Sequence, residues 1–203
     1  MDAPAEDPEA IAGLYQRHGL EWDKARGNRL GEGAWLERFL AFIPPGGRVL
    51  DIGCGSGEPI GRYLIERGYE VAGIDVSPVL IGLCQARFPD HDWRVADMRT
   101  LETDRPFDGL IAWDSFFHLG HDDQRAMFAV FRRCAAERAA LMFTSGPAHG
   151  VAIGEFAGEP LCHASLDPAE YRALMDEHGF EVAAHVAEDP DCVGRTVWLA
   201  RLR

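Results

Sequence analysis

No excess of basic residues, no long apolar run and no closely spaced cysteine pair occurs in these 203 residues. Lysine and arginine number 20 against 33 acids, a formal net charge of −13. Binding to a nucleic-acid backbone is driven by basic residues displacing counterions, so a nucleic-acid partner is not expected. An acidic field suits small neutral or cationic ligands better than polyanions. No stretch approaches the roughly 18 uninterrupted apolar residues of a membrane helix, so no membrane partner is expected. The opening "MDAPAEDPEA" is acidic and rich in Pro and Ala. A secretory signal begins basic and turns apolar, so the expected location is cytoplasmic. The five cysteines are odd in number and widely spread, with no C-x-x-C. That argues against a disulfide framework and a zinc cluster, and no metal is expected. Without repeats or a low-complexity linker, residues 1–203 read as a single domain, working as a monomer or homodimer.

What is present is alternation. Residues 1 to about 8 read as disordered. Ile11, Leu14 and Tyr15 have helical spacing, and "GAWLERFLAFI" is a second amphipathic helix stopped by "PPGG". From there strand and helix alternate: "RVLDIG", a helix from near Glu58, "YEVAGID", "SPVLIGLCQARF", "DWRVADM", "FDGLIAWD", a helix over about 122–135, and "RAALMFTSG". Residues 145–164 read as a Gly-rich loop. A helix capped by Asp167 follows, then a closing hairpin of "FEVAAHVAE" and "GRTVWLARL". The pattern predicts an α/β, doubly wound Rossmann-like sheet of seven strands, mostly parallel, with one antiparallel strand from the C-terminal hairpin. Residues 1–45 form a helical cap and 46–203 the core. Ligands of such folds lie at the carboxyl ends of the strands.

At that edge, "VLDIGCGSGEP" places Gly53, Gly55 and Gly57 at alternate positions after Asp51. Glycines allow a tight turn and close approach of a ligand to the main chain. A dinucleotide fingerprint needs a third glycine three residues after the second, and here that position is Glu58. A P-loop needs G-K-[ST], which is missing. Carboxylates around the turn favour a cation over a pyrophosphate.

The D-x-G-x-G-x-G turn resembles motif I of class I S-adenosylmethionine-dependent methyltransferases of the small-molecule branch. "GIDVS", with Asp75 24 residues after Asp51, and "VADM", with Asp97, resemble the family's next landmarks. "FDGLIAWDSFFHL" resembles its strand-four motif, and "LYQRHGLEWDKARG" its helical cap. The resemblance implies S-adenosyl-L-methionine as cofactor and S-adenosyl-L-homocysteine as product. It places Asp51, Gly53, Cys54, Gly55, Ser56 and Gly57 around the amino-acid end. Asp75 and Val76 then lie at the ribose, Asp97 and Met98 at the adenine, and Trp113, Asp114 and Ser115 by the methionine part. The two oxygens of Asp75 suit two ribose hydroxyls.

Methyl transfer from a sulfonium is an in-line displacement, in which alignment of the acceptor supplies roughly 7–11 kcal/mol. Where the nucleophile carries a proton, a base is needed. His118 in "WDSFFHLGHDDQ" is the candidate base, since histidine titrates near neutrality. Tyr15, on the cap, is the second candidate catalytic residue. Trp22 and Arg26 from the cap, Phe117 from the stretch after the fourth strand, His149 and His163 from the 145–164 loop, and Arg195 from the last turn are expected to face substrate. The expected reaction is methylation of an oxygen, nitrogen or carboxylate of a small molecule. A nicotinamide oxidoreductase on the same architecture is opposed by Glu58 and by the lack of a Tyr-x-x-x-Lys pair. A cofactor-binding module without catalysis is the third reading.

Overall fold

The strand Arg48–Ile52, β1, lies mid-sheet and is buried on both faces, as a strand covered on both sides must be. The computed structural model describes residues 8–203; the expectation of disorder for the first residues falls almost wholly outside that range. Two helices precede β1. α1 (Pro8–Arg26) is the cap helix. α2 (Gly33–Leu40) buries Trp35, Leu36, Phe39 and Leu40, each contributing about 1.5–3 kcal/mol relative to exposure.

After β1 come α3 (Ile60–Glu66), β2 (Glu70–Asp75), α4 (Pro78–Arg87), β3 (Asp92–Val95), β4 (Phe107–Ala112), α5 (His121–Cys134) and β5 (Ala135–Ser145). The chain ends with β6 (Gly150–Phe156), β7 (Glu159–Ser165), α6 (Pro168–Glu177), β8 (Phe180–Asp189) and β9 (Arg195–Leu202). Strand order in the main sheet is β3-β2-β1-β4-β5-β9-β8. Strands β1 to β5 pair in parallel, and β9 runs antiparallel to both β5 and β8. This is the seven-stranded Rossmann-like sheet expected. The chain moves outward from β1 to β3 and then returns beside β1 as β4. The crevice between the ends of β1 and β4 is therefore the topological switch point, where such sheets bind ligands.

Side chains alternate between two cores. Leu50, Leu110 and Trp198 pack with α5 and α6 on one face. Val49, Ile111 and Val197 pack with α2, α3 and α4 on the other. The helix caps follow the sequence closely. Ser77 accepts from the Leu80 amide and Asp167 from the Ala169 amide. α3 starts two residues later than expected, at Ile60.

One expectation is corrected. Residues 145–164 are not a Gly-rich loop. Most of the segment is a two-stranded antiparallel sheet, β6 with β7, turning at Ala157 and Gly158. Both turn residues have positive φ, 54° and 78°, the geometry of a two-residue hairpin turn. Val151 and Ile153 stay about half exposed. Because the ribbon buries so little, its alternation does not sort apolar from polar positions, and the sequence reads as loop.

Candidate active site

The turn after β1 is shaped by close contacts that exclude side chains. Gly53 has φ 75°, and a Cβ there would lie 2.3 Å from the Ser115 Cβ. Ser115 sits so close because its hydroxyl donates to the Ile52 carbonyl at 2.6 Å. Gly55 has φ 55°, and its Cβ would meet the Trp22 ring at 2.6 Å. Strand β4 and the cap helix thus both rest on the bare backbone of this turn.

Three carboxylates stand at successive strand ends. Asp75 accepts from the Gly55 amide at 3.0 Å and the Ser77 amide at 2.9 Å, one bond to each oxygen. Burial raises its pKa, and these backbone bonds oppose the rise. Asp51 is buried, and its carboxylate makes no side-chain hydrogen bond or salt bridge among the described residues. Burial first, then the charges of Asp75 and Glu32, push its pKa up to about 7, while Arg26 opposes. Asp97 is held differently. It caps a short 3-10 turn by accepting from the Arg99 amide at 2.9 Å, and the Arg99 guanidinium grips its carboxylate. That hydrogen bond to Arg99 holds its pKa below the usual range.

Past β4, Asp114 adopts left-handed backbone, φ 51°. Its amide donates to the Thr144 hydroxyl at 2.8 Å, and Arg195 pairs with both carboxylate oxygens at 2.7–2.9 Å. His118 follows on a 3-10 turn. Its Nδ1 lies 3.2 Å from the Cys162 carbonyl and its Nε2 3.1 Å from the Tyr15 hydroxyl. A carbonyl only accepts, so Nδ1 carries the proton and Nε2 accepts from Tyr15. Burial, then the charge of His163, push the His118 pKa down to about 4. Burial raises that of Tyr15. The pair is neutral at pH 7.

Helix α1 closes the site. Asp23 takes a two-pronged ion pair from Arg87 on α4, 2.7 Å on each side. The Ser77 hydroxyl donates to the Tyr15 carbonyl at 3.1 Å. Arg17 and His18 both bind Glu159 of β7, so cap and hairpin are joined over the cavity.

These elements enclose a cavity of about 280 Å³. From the first turn Asp51, Gly53, Cys54 and Gly55 line it; from the second edge, Asp75 and Val76; from the third, Asp97 and Met98. Trp113, Asp114, Ser115 and His118 come from the end of β4, and Tyr15, Trp22 and Arg26 from the cap. Ser56 and Gly57 do not line it: Ser56 is fully buried, and Gly57 lies against Phe88. Phe117 and His163 lie behind His118, with ring centres 4.9 and 5.0 Å from it. His149 is not brought to the cavity; it stacks on His121 at 4.5 Å in a separate surface depression, because the hairpin starts at Gly150 and carries the chain away. Arg195 does not line the cavity either, because Asp114 takes its guanidinium. Sequence reasoning missed Ile11, Ala12, Leu80 and Leu119 as wall residues, apolar positions that carry no chemical signal. It also missed Glu58 and Arg99 as wall residues; Glu58 was visible in the motif but read only as an argument against pyrophosphate.

Two polar atoms of this wall are buried without a partner: the indole N–H of Trp113 and one carboxylate oxygen of Glu58. Buried polar groups are nearly always paired, so an unmatched donor and an unmatched acceptor on one cavity ask for a ligand carrying both kinds of group. With Asp51 and Asp75, the residues present fit a cofactor bearing an ammonium, a carboxylate and a diol.

A family model described as "Methyltransferase domain" matches residues 49–138. YqeM of Bacillus subtilis is 42% identical over 53 residues, 26% of this chain and 21% of its own length. The 18S rRNA (guanine-N(7))-methyltransferase of Mus musculus is 41% identical over 77 residues, 36% of this chain and 27% of its own. The matches thus span between about a fifth and just over a quarter of these curated relatives. Among solved structures, the magnesium protoporphyrin IX methyltransferase of Synechocystis, with bound S-adenosylmethionine, shares 17% identity over the whole of both chains, TM-score 0.76. The Burkholderia thailandensis 1,6-didemethyltoxoflavin-N1-methyltransferase, with S-adenosylhomocysteine, shares 16% over 100% of this chain and 93% of that one, TM-score 0.77. At these identities the likeness is one of fold. Residues 49–138 match a methyltransferase-domain model, and the fold is similar to that of methyltransferases solved with S-adenosylmethionine or S-adenosylhomocysteine.

Proposed function

We propose that this protein transfers the methyl group of S-adenosylmethionine in-line to an oxygen, nitrogen or carboxylate of a small molecule. Residues 1–203 act as one catalytic unit, with 1–45 as its cap, in the cytoplasm, as a monomer or homodimer. The observation that carries the reading is the cavity that joins the glycine turn and Asp75 to the Tyr15–His118 pair. Each Asp75 oxygen spends one lone pair on a backbone amide and keeps another for a ribose hydroxyl.

S-adenosylmethionine supplies an already activated methyl group, so the chain's own task is to hold the acceptor in line and to manage its proton. Tyr15 donates its hydroxyl proton to Nε2 of His118 and keeps its oxygen lone pairs for the cavity. An acceptor O–H or N–H gives its proton to the Tyr15 oxygen while the Tyr15 proton passes to Nε2. The attacking atom's electron pair forms the bond to the methyl carbon, and the pair of the broken C–S bond stays on sulfur. The imidazolium formed replaces the positive charge that the sulfonium loses, so the total charge in the cavity is conserved.

A small-molecule acceptor is supported by the cavity's volume of about 280 Å³ and by the net charge of −13. The mouse relative is named for ribosomal RNA, but the segment it shares is 36% of this chain. Calorimetric titration with S-adenosylhomocysteine and with NAD tests the cofactor. Micromolar binding of the first and none of the second is expected, with Asp75→Ala weakening it at least 100-fold. Binding of NAD alone would make the protein an oxidoreductase. Methyl transfer from labelled cofactor to a panel of small hydroxy, amino and carboxylic acceptors tests turnover. Tight cofactor binding with no transfer to any acceptor would favour a non-catalytic module.

A further inference from the structure

Strand β7 pairs with β6 along one edge only. An antiparallel ladder alternates bonded and non-bonded pairs, and a two-residue turn is flanked by a bonded pair, here Phe156 with Glu159. Counting from there, Ile153–Cys162 and Val151–Ala164 are non-bonded pairs, so the carbonyls of Cys162 and Ala164 face away from β6. Pro160, which has no N–H to give, falls in a non-bonded pair as well. The two outward carbonyls, about 7 Å apart on the strand, are taken by side chains. That of Cys162 lies 3.2 Å from Nδ1 of His118, and that of Ala164 accepts from Nε2 of Gln124 at 2.9 Å. The histidine of the site and this glutamine thus stand side by side on one strand edge, where no third strand runs.

Gln124, at the start of α5, is fully buried, and both of its N–H groups are used. Besides the Ala164 carbonyl it binds the Leu119 carbonyl at 2.7 Å. Its Oε1 accepts from the hydroxyl of Tyr171 at 2.5 Å, and that hydroxyl oxygen accepts from the Leu166 amide at 3.1 Å. Tyr171 is also fully buried. Its oxygen serves an amide, so its proton goes to Gln124 and fixes which side of the amide plane carries Oε1. Leu119 directly follows His118, and Ala164 lies two residues past Cys162. One planar group therefore spans the short turn Phe116–His118 and the strand that supplies the partner of His118. That spacing decides the tautomer. With the Cys162 carbonyl in place, Nδ1 carries the proton and Nε2 accepts from Tyr15. Without it the other tautomer becomes available, in which Nε2–H points at the Tyr15 oxygen and the ring takes up no proton there.

We propose that Gln124 is a positioning residue for methyl transfer: by holding the Leu119 and Ala164 carbonyls together it keeps the Cys162 carbonyl on Nδ1 of His118, and Tyr171 orients its amide. This role rests on the reading of Tyr15 and His118 as the pair that takes the acceptor's proton. It adds the group that sets the tautomer this proton transfer needs, a buried side chain that touches neither cofactor nor acceptor.

The test uses the full chain with S-adenosylhomocysteine, at about pH 8, where histidine is neutral. Nitrogen NMR of the imidazoles reads the tautomer, the His118 signals being identified by their loss in His118→Gln. In the unaltered protein Nδ1 is expected to carry the proton. In Gln124→Leu a mixture of both tautomers is expected. On the hydroxyl acceptor of the panel that turns over fastest, kcat should then fall about tenfold, with S-adenosylhomocysteine affinity changed less than threefold. Tyr171→Phe should act in the same direction, by about threefold in kcat, and it carries the test by the same readouts if Gln124→Leu does not fold. Met127→Ala, fully buried on the same helix, separates positioning from stability. It should lower the melting temperature and leave both tautomer and kcat as they are. A single Nδ1–H tautomer in the folded Gln124 and Tyr171 variants, or a mixture in Met127→Ala as well, overturns the role. Full turnover in His118→Gln is a separate failure: it sinks the reading of His118 as the base, and the role of Gln124 in methyl transfer falls with it whatever the tautomer.

Discussion

The Tyr15 hydroxyl lies 3.1 Å from Nε2 of His118, although 103 residues separate the two in sequence. The other imidazole nitrogen is fixed by the Cys162 carbonyl, so three elements, the cap, the end of β4 and the hairpin strand β7, determine where one proton sits. Tyr15→Phe and His118→Gln are each expected to lower kcat about 100-fold on a hydroxyl acceptor, with S-adenosylhomocysteine affinity changed less than threefold. The double variant should lose little more than either single one, because the two act as a unit. Additive losses would show that they work separately.

The low pKa of His118, about 4, sets the acid limb of turnover. At saturating cofactor, kcat should hold level from about pH 8 down to pH 5.5, without the fall near 6.5 that an ordinary histidine base gives. A kcat profile with a midpoint near 6.5 would mean that His118 titrates as an exposed histidine.

Asp51 predicts a pH effect on binding. Its pKa is raised to about 7 in the free protein, and an ammonium beside it favours the charged form. Protonated Asp51 must lose its proton for the cofactor to bind. Affinity for S-adenosylhomocysteine should therefore fall as pH drops through about 7, by roughly tenfold from pH 8 to pH 6, with proton release detectable by calorimetry in buffers of different ionisation enthalpy. Asp51→Asn should bind weakly and without that slope. The groups facing Asp51 are Asp75, Glu32 and Arg26, and only Arg26 opposes the shift.

Gly53→Ala should destabilise the fold by about 2 kcal/mol or more, because the added methyl meets Ser115 at 2.3 Å where the backbone is already left-handed. Thermal melting of this variant beside Gly158→Ala, where a Cβ meets nothing within 4 Å, separates the steric term from the backbone term. Equal losses in the two would leave Ser115 without a role.

Glu159 joins the hairpin to the cap through Arg17 and His18, and hydrogen bonds to these two hold its pKa down to about 2. In Glu159→Gln, amide exchange over α1 should quicken while that of β1 and β4 stays unchanged. Unaltered exchange in α1 would show that the Asp23–Arg87 pair alone keeps the cap closed.

Much of this molecule is legible in the sequence. The alternation from β1 to β5 reports a sheet buried on both faces, since only such strands are apolar throughout. The caps at Ser77 and Asp167 are local chemistry, decided within three residues. The glycine turn with Asp51 and Asp75 is legible because each strand end carries its own short motif.

Other features follow from contacts that sequence spacing does not encode. Residues 145–164 form a hairpin whose small burial leaves no periodic trace. Asp97 is bound by Arg99, two residues away, and this pairing depends on the 3-10 turn it caps. Arg195 meets Asp114 only because β9 lies beside β5.

The sequence by itself determined the sheet, its order of strands and helices, and the glycine turn with its acids, because these follow from local propensity and the two-residue and 3.6-residue periods. The tertiary structure alone decided which groups meet in the cavity. Tyr15, Trp22 and Arg26 are brought over the turn by ion pairs to α4 and β7, Trp113 is left without an acceptor, and Asp51 without a cation. Those relations are set by packing between elements far apart in the chain, where burial and distance, rather than residue type, fix each group's partner and its charge.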